Sequence, residues 1–234
     1  MSYDERYRKW EGVAKRYKID NTRLATFQLT VKNVLKLLKN KKEGLAIDIG
    51  CGFGSIDVLL AQNTDFKIIA MDISDTALEA AKKNVMHFSQ EERIKVEKGD
   101  VYNLSYPDNY FDVIFSFGYV SAATYPSARN EVYRVLKPGG LLICDFINHV
   151  SLYKLPFLIK NIFLGYTQLG EFSKIKKDFK KTGFKFLSKI YFNTYPPIFK
   201  NIFPVWTYLL FEKTIGRPLK KILGRVILVS FKKI

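Results

Sequence analysis

The sequence predicts an α/β fold, a parallel sheet joined by crossover helices, and three observations carry that prediction. Between residues 44 and 146, short β-branched runs alternate with amphipathic stretches. The first of these runs ends in a glycine-rich turn, "AIDIGCGFG" at 46–54, that opens directly into a helical pattern. The chain has 234 residues, 47% hydrophobic and 15% aromatic, enough to bury a full core in one large domain, 1–234.

The elements follow in order. Residues 5–40 read as helical, with Leu29, Val31, Val34, Leu35 and Leu37 forming an apolar stripe in the second half. Strands fall at 45–49, 67–72, 94–98, 111–115 and 141–146, where β-branched and aromatic residues cluster. A helix fills 55–62, and another starts at the cap Ser74 with Ala77, Leu78, Ala81 and Val85 on one face. A third helix, 126–136, stops at Lys137-Pro138-Gly139-Gly140, since proline and paired glycines do not continue a helix. Beyond the core, 171–182 reads as a helix ending at Gly183, 184–192 as a strand, and 225–232 as a last strand with alternating apolar residues. Two apolar insertions remain, 147–170 after the fifth strand and 193–224 after the sixth.

Composition narrows the function. The net charge of +16 is unevenly spread: residues 1–150 hold 21 basic against 19 acidic side chains, whereas 151–234 hold 17 against 3. The basic third also carries 17 of the 35 aromatic residues. Cys51 and Cys144 form neither a metal-type pair nor a disulfide framework, so a reducing cytosol is expected. The N-terminal "MSYDERYRKW" lacks a signal-peptide pattern, and no stretch has the roughly 18 uncharged apolar residues of a membrane span.

The glycine loop carries the chemistry. Gly50, Gly52 and Gly54 lack β-carbons, so a ligand can approach the backbone closely. Their Gly-x-Gly-x-Gly spacing differs from the Gly-x-Gly-x-x-Gly of dinucleotide enzymes, and Asp48 points a negative charge at the pocket. A pyrophosphate is repelled there; a ligand with an ammonium and a sulfonium beside an adenosine is attracted. Asp72, 24 residues on, ends the next strand at about the separation suited to a ribose diol. After the third strand, the acid and backbone amide of Gly99-Asp100-Val101 suit the edge of adenine.

This constellation resembles the class I S-adenosylmethionine-dependent methyltransferases, in particular the small-molecule branch of ubiquinone and menaquinone C-methyltransferase-like proteins. "DIGCGFG", "MDIS", "GDVYNLSYPDNYFDVIFS" and "RVLKPGG" match its motifs in order over about 43–146. The resemblance implies a Rossmann-like doubly wound sheet of about seven strands, the last antiparallel, with an N-terminal helical lid over 1–42, a cofactor core over 43–146 and an acceptor side over 147–234. It implies S-adenosylmethionine as cofactor and S-adenosylhomocysteine as product. Asp48, Gly50, Cys51, Gly52 and Gly54 then surround the methionine end, Asp72 holds the ribose, and Ile73 packs on adenine. Asp100 and Val101 read the adenine edge, and Ser116 or Phe117 offers a backbone carbonyl to its amino group. The lid segment "WEGVAKRY" would close Trp10 and Tyr17 over the cofactor.

Methyl transfer is an in-line displacement that needs alignment more than catalytic side chains. A base, where one is required, belongs past strands four and five, which makes Asp145, His149 and Tyr119 the candidates. Cys51 is read as a small packed residue, Asp112 as structural and His87 as inert. Strand four continues into Ser116-Phe117-Gly118-Tyr119 instead of an Asn/Asp-Pro-Pro-aromatic signature, which counts against amino-group methylation of adenine or glutamine. No metal-ligand cluster is apparent in the sequence, so no metal is expected. The segments 151–166 and 198–211 are apolar with interspersed lysines. They suit a small or lipid-linked acceptor and peripheral contact with an anionic membrane, ahead of nucleic acid. An RNA methyltransferase and a non-catalytic cofactor-binding protein stand as the alternatives.

Overall fold

A computed structural model describes residues 2–118, 125–148, 151–152, 172–196 and 202–234. Its elements are α1 (Tyr3–Lys15), α2 (Asn21–Leu38), β1 (Glu43–Ile49), α3 (Ser55–Asn63), β2 (Asp65–Asp72), α4 (Asp75–His87), β3 (Ile94–Lys98) and β4 (Phe111–Ser116). They continue with α5 (Pro126–Val135), β5 (Leu136–Ile147), α6 (Phe172–Lys181), β6 (Phe184–Phe192), α7 (Val205–Thr214), α8 (Arg217–Leu223) and β7 (Val226–Lys233). The strands form one seven-stranded sheet in the order β3-β2-β1-β4-β5-β7-β6. β7 runs antiparallel to both neighbours, and the other pairs are parallel.

Strand alternation assigns side chains to two cores. On β1 and β2, Ala46, Phe66, Ile68 and Ala70 share a cluster with Leu29 and Val34 of α2, Val58 and Leu60 of α3 and Val85 of α4. Ile47, Ile49, Ile69 and Met71 face the other way, toward Ala128 and Val132 of α5 and Phe179 of α6. Asp48 and Asp72 have the parity of the first set, so their carboxyl groups belong to the face covered by α2 and α3.

Three boundaries differ from the sequence expectation, each for a local reason. The helical stretch 5–40 divides in two: Ser2 and Glu5 form a capping box for α1, and Asp20 caps α2 by accepting from the Arg23 N–H at 2.9 Å. Lys137-Pro138-Gly139-Gly140 lies within β5 rather than before it. Phe111 pairs with Leu136 and Val113 with Leu141, so these four residues bulge out of the ladder, with Gly139 at φ +76°. The insertion after β6 includes α7 and α8. Tyr208 of α7 is buried beside Tyr195, whose hydroxyl donates to the Thr22 carbonyl of α2 at 3.0 Å. Part of this insertion is therefore core, as is Glu212, which accepts from the Thr194 N–H and hydroxyl. Most of the insertion after β5 lies outside the described residues.

Candidate active site

The parallel topology brings the C-terminal ends of β3, β2, β1, β4 and β5 to one edge, where ligands of doubly wound sheets bind. Asp48, Asp72, Asp100, Ser116, Phe117 and Asp145 all stand at or just past these ends. A separate cleft of about 720 Å³, lined by Lys41, Gly44, Asp65 and Asp112 among others, lies at the opposite ends of the strands. Asp112 there is structural: it accepts from the Leu45 N–H at 3.0 Å and from Lys137 at 2.9 Å.

The loop after β1 takes its shape from glycine. Gly50, Gly52 and Gly54 have φ of +84°, +56° and +70°, in the left-handed region that β-carbons disfavour. A β-carbon built on Gly50 or Gly52 meets nothing within 4 Å among the described residues, so both border space open to a ligand there, whereas one on Gly54 meets Ala81 of α4 at 3.2 Å. The first two glycines thus leave room for a ligand, and the third lets α3 pack against α4.

Asp72 spans the loop. One carboxylate oxygen accepts from the Gly52 N–H and the other from the Ser74 N–H, each at 2.9 Å. Burial raises its pKa against these backbone bonds. Asp48 is 2% exposed, and one of its oxygens has no hydrogen-bond partner. Burial raises its pKa well above the carboxylate range, and Asp57, Asp72 and Asp145 raise it further. Burial, with Asp57, Asp72 and Asp48, pushes the Cys51 thiol up, which opposes a nucleophilic role. Ile73 and Val101 are buried, Val101 within the second core. Ser116 ends β4 instead of following it and donates its hydroxyl to the Ile49 carbonyl at 3.2 Å; Phe117 stacks on Phe115 at 5.8 Å. Asp145 is buried and accepts from the Gly118 N–H at 2.9 Å. His149 and Tyr119 lie outside the described residues.

Three groups escaped the sequence reading. Asp57, in the first turn of α3, is fully buried near the glycine loop, and neither oxygen has a hydrogen-bond partner among the described residues. Its only sequence signal is a position one turn inside the helix, on the face that α3 turns to the sheet. Arg6 of α1 pairs with Asp100 and lies over the Tyr102 ring at 4.2 Å. Glu11 accepts from the hydroxyls of Ser74 and Thr76, which hold its carboxyl down at about 2. These long-range contacts lay α1 across the start of α4 and the end of β3. Tyr17 reaches Phe53 of the loop, ring centroids 4.9 Å apart, while Trp10 is 42% exposed.

A strand, a left-handed glycine turn and two strand-end acids thus meet at the C-terminal edge of the sheet. Residues 46–140 match the family described as a methyltransferase domain. A demethylmenaquinone methyltransferase of Symbiobacterium thermophilum is 37% identical over 101 residues, 42% of this chain and 40% of that protein. An uncharacterized protein of Methanocaldococcus jannaschii is 32% identical over 195 residues, covering 81% of this chain and 77% of its own length. In fold, a geranyl diphosphate methyltransferase in complex with S-adenosylmethionine superposes with a TM-score of 0.61 at 10% identity, over 88% of this chain and 85% of that one. The chain belongs to the class I S-adenosylmethionine-dependent methyltransferases. It spans about half the length of the demethylmenaquinone methyltransferases it matches. The orphaned Asp48 oxygen and the open space over Gly50 and Gly52 fit the family's cofactor.

Proposed function

We propose that this protein transfers a methyl group from S-adenosylmethionine to a carbon or oxygen of an apolar, lipid-linked acceptor of the quinone type, at the cytosolic face of a membrane. The observation that carries the donor half is the open glycine loop flanked by Asp48 and Asp72. Asp48 with Gly50, Cys51 and Gly52 would hold the methionine end, and Asp72 the ribose. Asp100 and Val101, with the backbone of Ser116 and Phe117, would hold adenine, and Gly54 would set the start of α3. The bound cofactor supplies an electrophilic methyl on a sulfonium. The chain's own residues align it, exclude water and, at Asp145, His149 or Tyr119, accept a proton from the acceptor. Asp145 is fixed for such a role by the Gly118 N–H.

The acceptor half is supported by the relatives named demethylmenaquinone methyltransferases and by the surface of the second insertion. Trp206 and Leu210, one turn apart on α7, are 64% and 53% exposed, and Ile202 and Phe203 just before it are 63% and 41% exposed. With exposed Lys213 and Lys221, they present apolar anchors beside positive charge, suited to an anionic bilayer. No helix among the described residues is long and apolar enough to cross a membrane. In this reading 1–42 is the lid, 43–146 the donor core and 147–234 the acceptor side of one domain. The RNA and non-catalytic readings are not favoured. The test is incubation with labelled methyl donor and fractionated cell extract: label is expected in the lipid pool, and label confined to RNA or to the soluble pool would refute the acceptor class.

A further inference from the structure

Beneath the glycine loop, Asp48 is paired with a second carboxyl group, Asp57, that the transfer chemistry leaves unused. Asp48 on β1 and Asp57 on α3 are 2% and 0% exposed, and Asp48 Oδ1 and both Asp57 oxygens meet no hydrogen-bond donor among the described residues. The groups that face them are acidic: Asp72 from β2, Asp145 from β5 and Cys51 from the loop, with Glu11 of α1 beyond Asp72. Among the described residues no basic side chain forms an ion pair with either one. Two ionised carboxylates buried against each other without a counter-charge repel and forfeit their solvation. One proton held between them removes the repulsion and lets one carboxyl donate to the other.

We infer that the Asp48–Asp57 pair holds a proton when the site is empty and releases it to solvent when the donor binds, so that the pocket tells donor from product by charge. This rests on the placement of the methionine end at Asp48. The donor brings an ammonium and a sulfonium; the product keeps the ammonium but its sulfur is neutral. The sulfonium therefore stabilises the fully ionised pair more than the product can, and donor binding is linked to more proton release than product binding. Asp57 acts through Asp48 and is a positioning residue. Burial sets the operating range, holding Asp48 well above the carboxylate range and Asp57 at about 7. Below that range the proton competes with the donor; as pH rises through it, preference for donor over product grows.

The test is calorimetric affinity for S-adenosylmethionine and S-adenosylhomocysteine from pH 5.5 to 7.1. The α-amino group of both compounds is charged across this interval, so the ratio of the two affinities isolates the effect of the sulfonium. In the wild type the ratio should rise about fivefold in favour of the donor across this interval, and in Asp57→Asn it should vary by less than about twofold. A flat wild-type ratio, or an undiminished slope in Asp57→Asn, overturns the inference. Should that variant fail to fold, donor binding to the wild type in two buffers of different ionisation enthalpy provides the second readout. Net proton release near pH 6.3, larger for donor than for product, supports the inference, and none overturns it. Failure to bind either compound at any pH would instead overturn the placement of the site itself, and Asp48→Asn with undiminished donor affinity would do the same.

Discussion

Replacing Asp72 by alanine tests the ribose role proposed for the residue that ties the glycine loop to the end of β2. Its two oxygens accept from the Gly52 and Ser74 N–H groups at 2.9 Å, which fixes the carboxylate at the end of β2 and leaves lone pairs for two ribose hydroxyls. A hydrogen bond to a charged acceptor contributes about 1.5–3 kcal/mol, so loss of both ribose bonds removes about 3 kcal/mol at the low end. That corresponds to donor affinity weakened by roughly 100-fold or more. The same change leaves two backbone donors without their acceptor, so thermal unfolding must be followed beside calorimetry to show that the variant is folded. Asp72→Asn, which keeps one oxygen, should fall between wild type and alanine. A folded Asp72→Ala protein that binds S-adenosylmethionine within threefold of wild type would refute the ribose role.

Further outcomes follow from the same geometry. Because burial raises Asp57 from 3.8 to about 7, the folded chain binds more protons than the unfolded one between these values. Its contribution to stability is full below about pH 4 and is lost as pH rises through 7; three units set a ceiling of about 4 kcal/mol on that loss. Ligand-free Asp57→Asn should therefore gain stability over wild type between pH 5 and 8 in urea titrations, and parallel profiles would contradict the assignment. Gly52→Ala places a β-carbon in open cleft at φ +56°, which costs about 1 kcal/mol of backbone strain and should weaken donor binding by about tenfold. Unchanged affinity would move the ligand away from this glycine. Arg6→Ala removes the pair with Asp100 and the contact with Tyr102, so amide exchange over α1 should quicken severalfold while β1 to β5 stay protected. Equal protection of α1 would show that other contacts fasten this helix.

The sequence made the sheet legible because parallel strands buried on both faces read as β-branched runs, and a left-handed turn demands glycine. Asp48 and Asp72 could be found by their places at strand ends. What stayed hidden is tertiary. The division of α1 from α2 rests on caps at Ser2 and Asp20 within a continuous helical composition, and the bulge at Lys137–Gly140 depends on how Phe111 and Val113 pair. Asp57 lies in the first turn of α3, and only the packing of α3 against α2 and β2 buries it beside Asp48. Arg6 and Glu11 lie 94 and 63 residues from Asp100 and Ser74, which no local pattern reveals. The second insertion read as an apolar acceptor-side segment, and the burial of Tyr195, Tyr208 and Glu212 places part of it in the core.

The central claim is that the acid-lined glycine loop selects a cationic methyl donor over a phosphate-bridged dinucleotide. Competitive equilibrium dialysis of S-adenosylmethionine against a nicotinamide dinucleotide tests it most directly. The expected result is retention of S-adenosylmethionine alone, abolished in Asp48→Asn; retention of the dinucleotide with indifference to S-adenosylmethionine would contradict it.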